Sequence, residues 1–248
     1  MYYFASDMHL GLNSEHSSSR DRERLLIRWL DEVSADASAI FLVGDVFDFW
    51  FEYRRVVPKG FTRFLGKLSE LTDRGVEIHF FAGNHDMWSY DYLHSECGVI
   101  LHDKPEVFEL SGKKVFIGHG DNLYPTRPPF MERMMQKMFR SGFMRRAFAA
   151  TVHPNSAIRF GQWWSGKSRK AKSLTHVFTG ENEYLVKYAR EYLKCVDIDF
   201  FVFGHLHSKV DYDLGGGKRL FVLGEWISDP TYATLDPSGD LELRHYGK

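Results

Sequence analysis

The chain has 248 residues, 44% hydrophobic and 26% charged. That is enough for one substantial α/β domain, and the proportions exclude a disordered, collagen-like or fully membrane-embedded chain. Its 32 Lys and Arg balance 33 Asp and Glu, so the basic surplus that usually marks a nucleic-acid binder is missing, and no nucleic-acid partner is expected.

The charge is unevenly spread. Residues 124–173 hold eleven Lys or Arg and one acid, a net of +10 that leaves the remainder at −11. Cys97 and Cys195 are too few for a disulfide framework and read as free thiols in a reducing compartment. The opening Met1-Tyr2-Tyr3-Phe4-Ala5-Ser6-Asp7 lacks the basic start and long apolar stretch of a signal peptide. No run of about 18 apolar residues follows, so a cytoplasmic location is expected.

In chain order, residues 2–6 and 39–43 are short apolar runs ending at polar or Gly residues, the pattern of strands buried on both faces. Between them, Ser17 to Ser19 offer caps for a helix over 20–33, where Leu25, Leu26, Trp29, Leu30 and Val33 form an apolar stripe. The spacing of Phe64, Leu65 and Leu68 predicts a second helix over 61–71, and Gly75 turns the chain into a strand over 76–81. Residues 107–110 and 114–117 read as a hairpin; 200–203, 209–214 and 219–223 read as three more strands, the last two joined by Gly215-Gly216-Gly217. A final pair, 231–235 and 241–245, turns at Pro237-Ser238-Gly239. Early βαβ units followed by hairpins predict two sheets packed face to face with helices outside.

Five polar signals stand where strands end: Asp7-Met8-His9, Gly44-Asp45-Val46-Phe47-Asp48, Gly83-Asn84-His85-Asp86, Gly118-His119-Gly120-Asp121 and Gly204-His205-Leu206-His207. Ligand sites gather beyond the carboxyl ends of parallel strands, so these signals can converge although 200 residues separate them. Taken singly, Asp7 or Asp45 could cap a helix, Asn84 could serve a turn and His119 could be a core residue. Together they supply oxygen and imidazole donors suited to Mn²⁺, Fe²⁺, Zn²⁺ or Ni²⁺, and the lack of a Cys cluster argues against a soft thiolate site. Seven donors exceed what one ion needs, whereas two ions sharing a carboxylate would use them all.

In order and spacing these blocks resemble the calcineurin-like metallophosphoesterases. The resemblance implies an α/β protein, a four-layer α/β/β/α sandwich with a helical insertion over the site, spanning 1–248 as one domain with residues 124–173 as the lid. It implies one divalent ion on Asp7, His9, Asp45 and His207, and a second on Asp45, Asn84, His119 and His205. Asp7-Met8-His9-Leu10-Gly11, Gly44 to Trp50, His119-Gly120-Asp121, His153-Pro154 with Trp163-Trp164-Ser165, and Leu223-Gly224-Glu225-Trp226 are similar to the UDP-2,3-diacylglucosamine pyrophosphatases of lipid A biosynthesis. That closer resemblance favours Mn²⁺, a nucleotide-linked glycolipid substrate and a peripheral place on the cytoplasmic face of the bacterial inner membrane, with no obligate protein partner. His85 stands where better-known members of that class have Arg, and Glu225 where Asp is expected. The expected chemistry is in-line hydrolysis of a phosphate anhydride by an activated water. His85 would neutralise the transition state and protonate the leaving group, with Asp86 orienting its imidazole. The alternative is a phosphodiesterase or phosphomonoesterase acting on a small soluble substrate such as a cyclic nucleotide.

Within the basic segment, Phe130, Met131, Met134, Met135, Met138 and Phe139 fall on one half of a helical wheel, and Glu132, Arg133, Gln136, Lys137 and Arg140 on the other. Such a basic amphipathic helix can dock on its own core, meet another subunit, or touch an anionic membrane or an acyl chain. The resemblance favours lipid. Phe130, Met134 and Met138 are then expected to wall the acyl chains, with Lys167 and Arg169 holding the nucleotide diphosphate and Asn122 as a further substrate-binding residue.

Overall fold

The first layer starts with a helix whose cap is explicit. Ser18 accepts a hydrogen bond from the Asp21 backbone N–H and opens α1 (Ser19–Val33), which buries Leu26, Trp29, Leu30 and Val33 on one face. Phe61 adopts a left-handed φ of 58°, so α2 (Thr62–Asp73) begins one residue later than expected, and the Phe61 ring packs 5.0 Å from Phe47. A short α3 (Tyr92–Cys97) ends at Gly98, again left-handed. Burying each large side chain of these faces contributes about 1.5–3 kcal/mol.

In the computed structural model, residues 1–125, 130–139, 141–171 and 177–247 are described, without the side chains at 132, 135, 136 and 167–171. The three helices cover a six-stranded sheet in which β1 (Tyr2–Ala5), β2 (Ala39–Val43), β3 (Glu77–Phe81) and β4 (Ile100–His102) run parallel. The β10 (Thr231–Leu235) and β11 (Leu241–His245) hairpin completes it on the other side of β1, with Tyr2 opposite Leu235. The second sheet has the order β5 (Glu106–Leu110), β6 (Lys113–Ile117), β7 (Phe200–Phe203), β9 (Lys218–Leu223) and β8 (Lys209–Gly215). Alternation along the strands divides the core. Phe4, Phe41 and Val43 meet Val115, Ile117, Val202 and Phe221 between the sheets. Phe116, Phe201, Phe203 and Val222 face outward onto Leu185, Val186 and Ala189 of α7 (Tyr184–Leu193). The expected four layers are present.

Between β6 and α7 come α4 (Phe130–Phe139), α5 (Gly142–Thr151) and α6 (Pro154–Ala171). They are tied to the first sheet's loops at several points. Trp88 Nε1 donates to the Phe139 carbonyl at 3.0 Å, Tyr53 donates to the Val152 carbonyl at 3.0 Å, and Phe148 packs 5.2 Å from Phe51.

Candidate metal centre

All five polar signals meet at the C-terminal ends of β1, β2, β3, β6 and β7. Two of the loops are zipped together: Asp7, His9 and Leu10 N–H groups donate to the Gly44, Asp45 and Val46 carbonyls at 3.1, 3.0 and 2.8 Å. Each central carboxylate spends one oxygen on a neighbouring loop. Asp7 Oδ2 accepts from the His205 N–H at 3.0 Å and Asp45 Oδ1 from the His85 N–H at 2.9 Å, which aims the other oxygen inward. The approach is so close that a Cβ at Gly83 would collide with the Asp45 carboxylate, and one at Gly204 with that of Asp7.

Around Asp7 Oδ1, His207 Nε2 lies at 3.1 Å and His9 Nε2 at 3.8 Å, and these two ring nitrogens are themselves 3.1 Å apart. Asp45 Oδ2 lies between this group and the next, 4.0 Å from His9 Nε2 and 3.3 Å from His119 Nε2. His119 Nδ1 faces the Val43 carbonyl at 2.9 Å and must donate to it, so Nε2 presents a lone pair to the centre when the ring is neutral. One set of donor atoms comes from Asp7, His9, Asp45 and His207, another from Asp45, His119 and His205, each set within 4.8 Å.

Three of these inward atoms, Asp7 Oδ1, Asn84 Oδ1 and His119 Nε2, are buried with no hydrogen-bond partner. Unpaired polar atoms at such depth are costly, and their convergence fits a site that binds a cation. The charges agree. Burial would raise the Asp7 and Asp45 carboxyls, but surrounding histidines, His207 beside Asp7 and His119 beside Asp45, hold both below the usual range. Burial would lower the His9 imidazole, yet Asp48, Asp7 and Asp45 take it up to about 10; His119 is likewise raised, chiefly by Asp45. The gathered carboxylates call for positive charge at this point, the charge that bound cations would supply. Hard oxygen and imidazole donors around one shared carboxylate fit two divalent ions, with Asp45 between them.

His85 reaches the same centre, its Nε2 3.9 Å from Asp45 Oδ2. Its ring is held from the other side, with Nδ1 2.9 Å from the Asp48 carbonyl and 2.9 Å from Ser165 Oγ. The expectation that Asp86 orients this imidazole is therefore corrected. Asp86 turns away into the core and accepts from the Val46, Phe47 and Gly83 N–H groups at 2.8, 3.2 and 2.7 Å, clasping two strand-end loops. Burial, then the charge of Asp45, pushes Asp86 up to about 7.

Beside His85 and Asn84 opens an apolar cavity of about 290 Å³, walled by Phe49, Met138, Phe139, Phe148, Phe160 and Trp164 among others. Of the three expected wall residues only Met138 lines it. Phe130 and Met134 are 70% and 47% exposed, because the Trp88 bond holds the C-terminal end of α4 against the cavity and leaves its first turns outside. Asn122 lines a smaller cavity of about 150 Å³ on the His119 side, with Lys104. The side chains of Lys167 and Arg169 lie outside the described residues.

Three further residues support this site without a role assigned from the sequence: Arg22, Asp48 and Ser165. Arg22 is 1% exposed and donates to the Met8, His9 and Ser17 carbonyls at 3.0, 3.0 and 3.1 Å, bracing the first loop. The signal was an arginine on the apolar face of α1, in line with Leu26, Trp29 and Val33. Asp48 Oδ1 stands 3.6 Å from His9 Nδ1 and accepts from Ser165 at 2.9 Å, a link across 117 residues with no local signature.

Residues 2–209 match the model of the calcineurin-like phosphoesterases. The chain is 44% identical over 247 residues to the UDP-2,3-diacylglucosamine hydrolase of Porphyromonas gingivalis, covering 94% of this chain and 93% of that protein. It is 27% identical over 248 residues to the enzyme of the same name from Stenotrophomonas maltophilia, at 95% of each chain. The Hahella chejuensis enzyme, also called UDP-2,3-diacylglucosamine hydrolase, is 25% identical over 243 residues, 95% of this chain and 93% of that one.

Proposed function

The chain belongs to the calcineurin-like phosphoesterase family, and from that premise we propose that it hydrolyses the pyrophosphate bond of UDP-2,3-diacylglucosamine, releasing UMP and 2,3-diacylglucosamine 1-phosphate. The observation that carries this reading is the apolar cavity opening onto His85 and Asn84. Phosphorus chemistry and acyl-chain recognition are thereby neighbours, which a small soluble diester would not need.

Two divalent ions, one on Asp7, His9, Asp45 and His207 and one on Asp45, Asn84, His119 and His205, would supply Lewis acidity at phosphorus and an acidified water. The donor set admits several divalent ions, and the family resemblance favours Mn²⁺ among them. The protein's own part is placement. Asp45 sets the spacing of the two halves, Val43 holds the tautomer of His119, and Arg22 keeps the first loop in place. His85, its Nδ1 occupied by acceptors, turns Nε2 toward the reacting phosphate, where in the protonated ring it donates to the charge that builds on the leaving oxygen. Helices α4 to α6 act as the lid, and their Phe49-facing side receives the acyl chains. The net +10 of residues 124–173 suits an anionic membrane surface, and the enzyme works as a peripheral protein at the cytoplasmic face of the inner membrane, where its lipid substrate resides. Among the described residues no helix is long and apolar enough to cross a membrane.

Purified protein should hydrolyse UDP-2,3-diacylglucosamine in detergent far faster than a cyclic nucleotide. Asp45→Ala should lose activity by three orders of magnitude or more together with bound metal, on the order of what removing essential active-site groups costs. A preference for the cyclic nucleotide would replace this substrate.

A further inference from the structure

The insertion meets the chemistry at one buried polar point. Ser165 lies on α6, is 1% exposed, donates to Asp48 Oδ1 at 2.9 Å and stands 2.9 Å from His85 Nδ1. Its single hydrogen goes to the carboxylate, so toward His85 it can only accept. The other neighbour of that nitrogen, the Asp48 carbonyl at 2.9 Å, is also an acceptor. Nδ1 therefore carries a hydrogen shared between two acceptors, and the ring's orientation and tautomer follow from them.

The same helix builds the apolar cavity. Gly161, one turn earlier, lies so close to Phe49 that a Cβ would collide with its ring, and Phe160 and Trp164 form part of the wall. A shift of α6 would thus move the wall and the Ser165 hydroxyl together.

We propose that Ser165 is a positioning residue for His85, and that through it the seating of α6 on the acyl chains sets the pose of the imidazole at the phosphate. The proposal rests on the reading that His85 meets the reacting phosphate. It predicts that acyl-chain recognition is expressed in kcat as well as in KM, since a well-seated helix orients the group that acts in the transition state.

The test compares Ser165→Ala and Ser165→Thr with the parent protein, using UDP-diacylglucosamines of long and short acyl chains and a bis-aryl phosphodiester. Ser165→Ala should lower kcat about 10- to 100-fold, the usual cost of removing an orienting partner, with KM and bound metal little changed. It should also flatten the dependence of kcat on acyl length. Ser165→Thr, which keeps the hydroxyl, should restore most of both. In the metal-free protein the His85 Nδ1 proton should give a slowly exchanging NMR signal that Ser165→Ala loses and Ser165→Thr keeps. A raised KM with kcat unchanged would make Ser165 a substrate contact, and loss of metal would make it a support of the centre; either overturns the assignment. Should the parent protein leave UDP-diacylglucosamine untouched, the proposed function fails by itself, and the phosphodiester and the NMR signal still decide the role of Ser165.

Discussion

Five of the residues that meet at the centre hold a backbone conformation that ordinary L-residues avoid. Asp7, His9, Asp45, His205 and His207 have φ of 56°, 46°, 52°, 67° and 54°, each at a cost of roughly 1–2 kcal/mol. The left-handed turns bend the chain sharply off the strand ends, and the paired loops and buried carboxylates hold them there. His207, which is only partly buried, lets the effect be isolated. Both His207→Gly and His207→Ala should lose activity, but in urea unfolding of the metal-free proteins the Gly variant should be the more stable by about 1 kcal/mol, the reverse of their order in a helix. Equal stabilities would mean that residue 207 relaxes once its ring is gone.

At the scale of elements, β3, β4 and β5 are joined by a chain of side chains outside the centre. Glu77 Oε1 lies 2.8 Å from His79 Nε2, His79 Nδ1 2.8 Å from His102 Nε2, and His102 Nδ1 3.1 Å from Glu106 Oε1, with the His79 ring stacked 4.5 Å from Phe41. Burial, then the neighbouring His102, lowers the His79 imidazole below its usual value. A base lowered on folding binds its proton more readily in the unfolded chain. Its contribution is therefore intact above about pH 6.5 and is lost as pH falls below that value, at up to about 1.4 kcal/mol per pH unit for one proton. His79→Leu should make the decline in stability from pH 7 to pH 5 shallower, as thermal unfolding across that range would show; an unchanged slope would assign the acid sensitivity elsewhere.

Elements differ in how openly they are written. β1, β2 and β7 announce themselves as apolar runs stopped by polar residues, and each stop carries a side chain of the centre. At six and three residues, α3 and β4 are too short for periodicity to register. The stripe of α4 was legible, but its destination was not. The Trp88 to Phe139 bond decides which end meets the cavity, and no local pattern encodes a contact 51 residues away. Asp86 was misread for a similar reason: beside His85 in sequence, it points to the opposite side of the loop.

Over the whole molecule, charge and apolar surface coincide. The segment of net +10 also exposes Phe130, Met131, Phe143, Phe160 and Trp163, with Phe143 at 77%. Solvated aromatic side chains among cations favour an anionic lipid surface. The protein should sediment with vesicles containing an acidic phospholipid, less so as salt rises through the range where the Debye length falls from about 10 Å to 3 Å. Met131→Ser with Phe143→Ser should weaken that association and leave hydrolysis of a bis-aryl phosphodiester intact. Sedimentation indifferent to both salt and these substitutions would remove the membrane from the account.

The hairpin of β10 and β11 on the far side of β1 has a consequence in time. During synthesis β1 can gain its parallel neighbour β2 once residue 43 has emerged, but its other edge stays open until residue 231 has been made. The strand that leads into Asp7 and His9 thus waits, half-paired, for nearly two hundred residues, and the Trp226 N–H that bonds the Asp7 carbonyl emerges only five residues before β10 begins. A nascent chain stalled before residue 200 would hold Asp7, His9, Asp45, Asn84 and His119 without His205 and His207, so the full donor set cannot assemble until about five-sixths of the chain has been made.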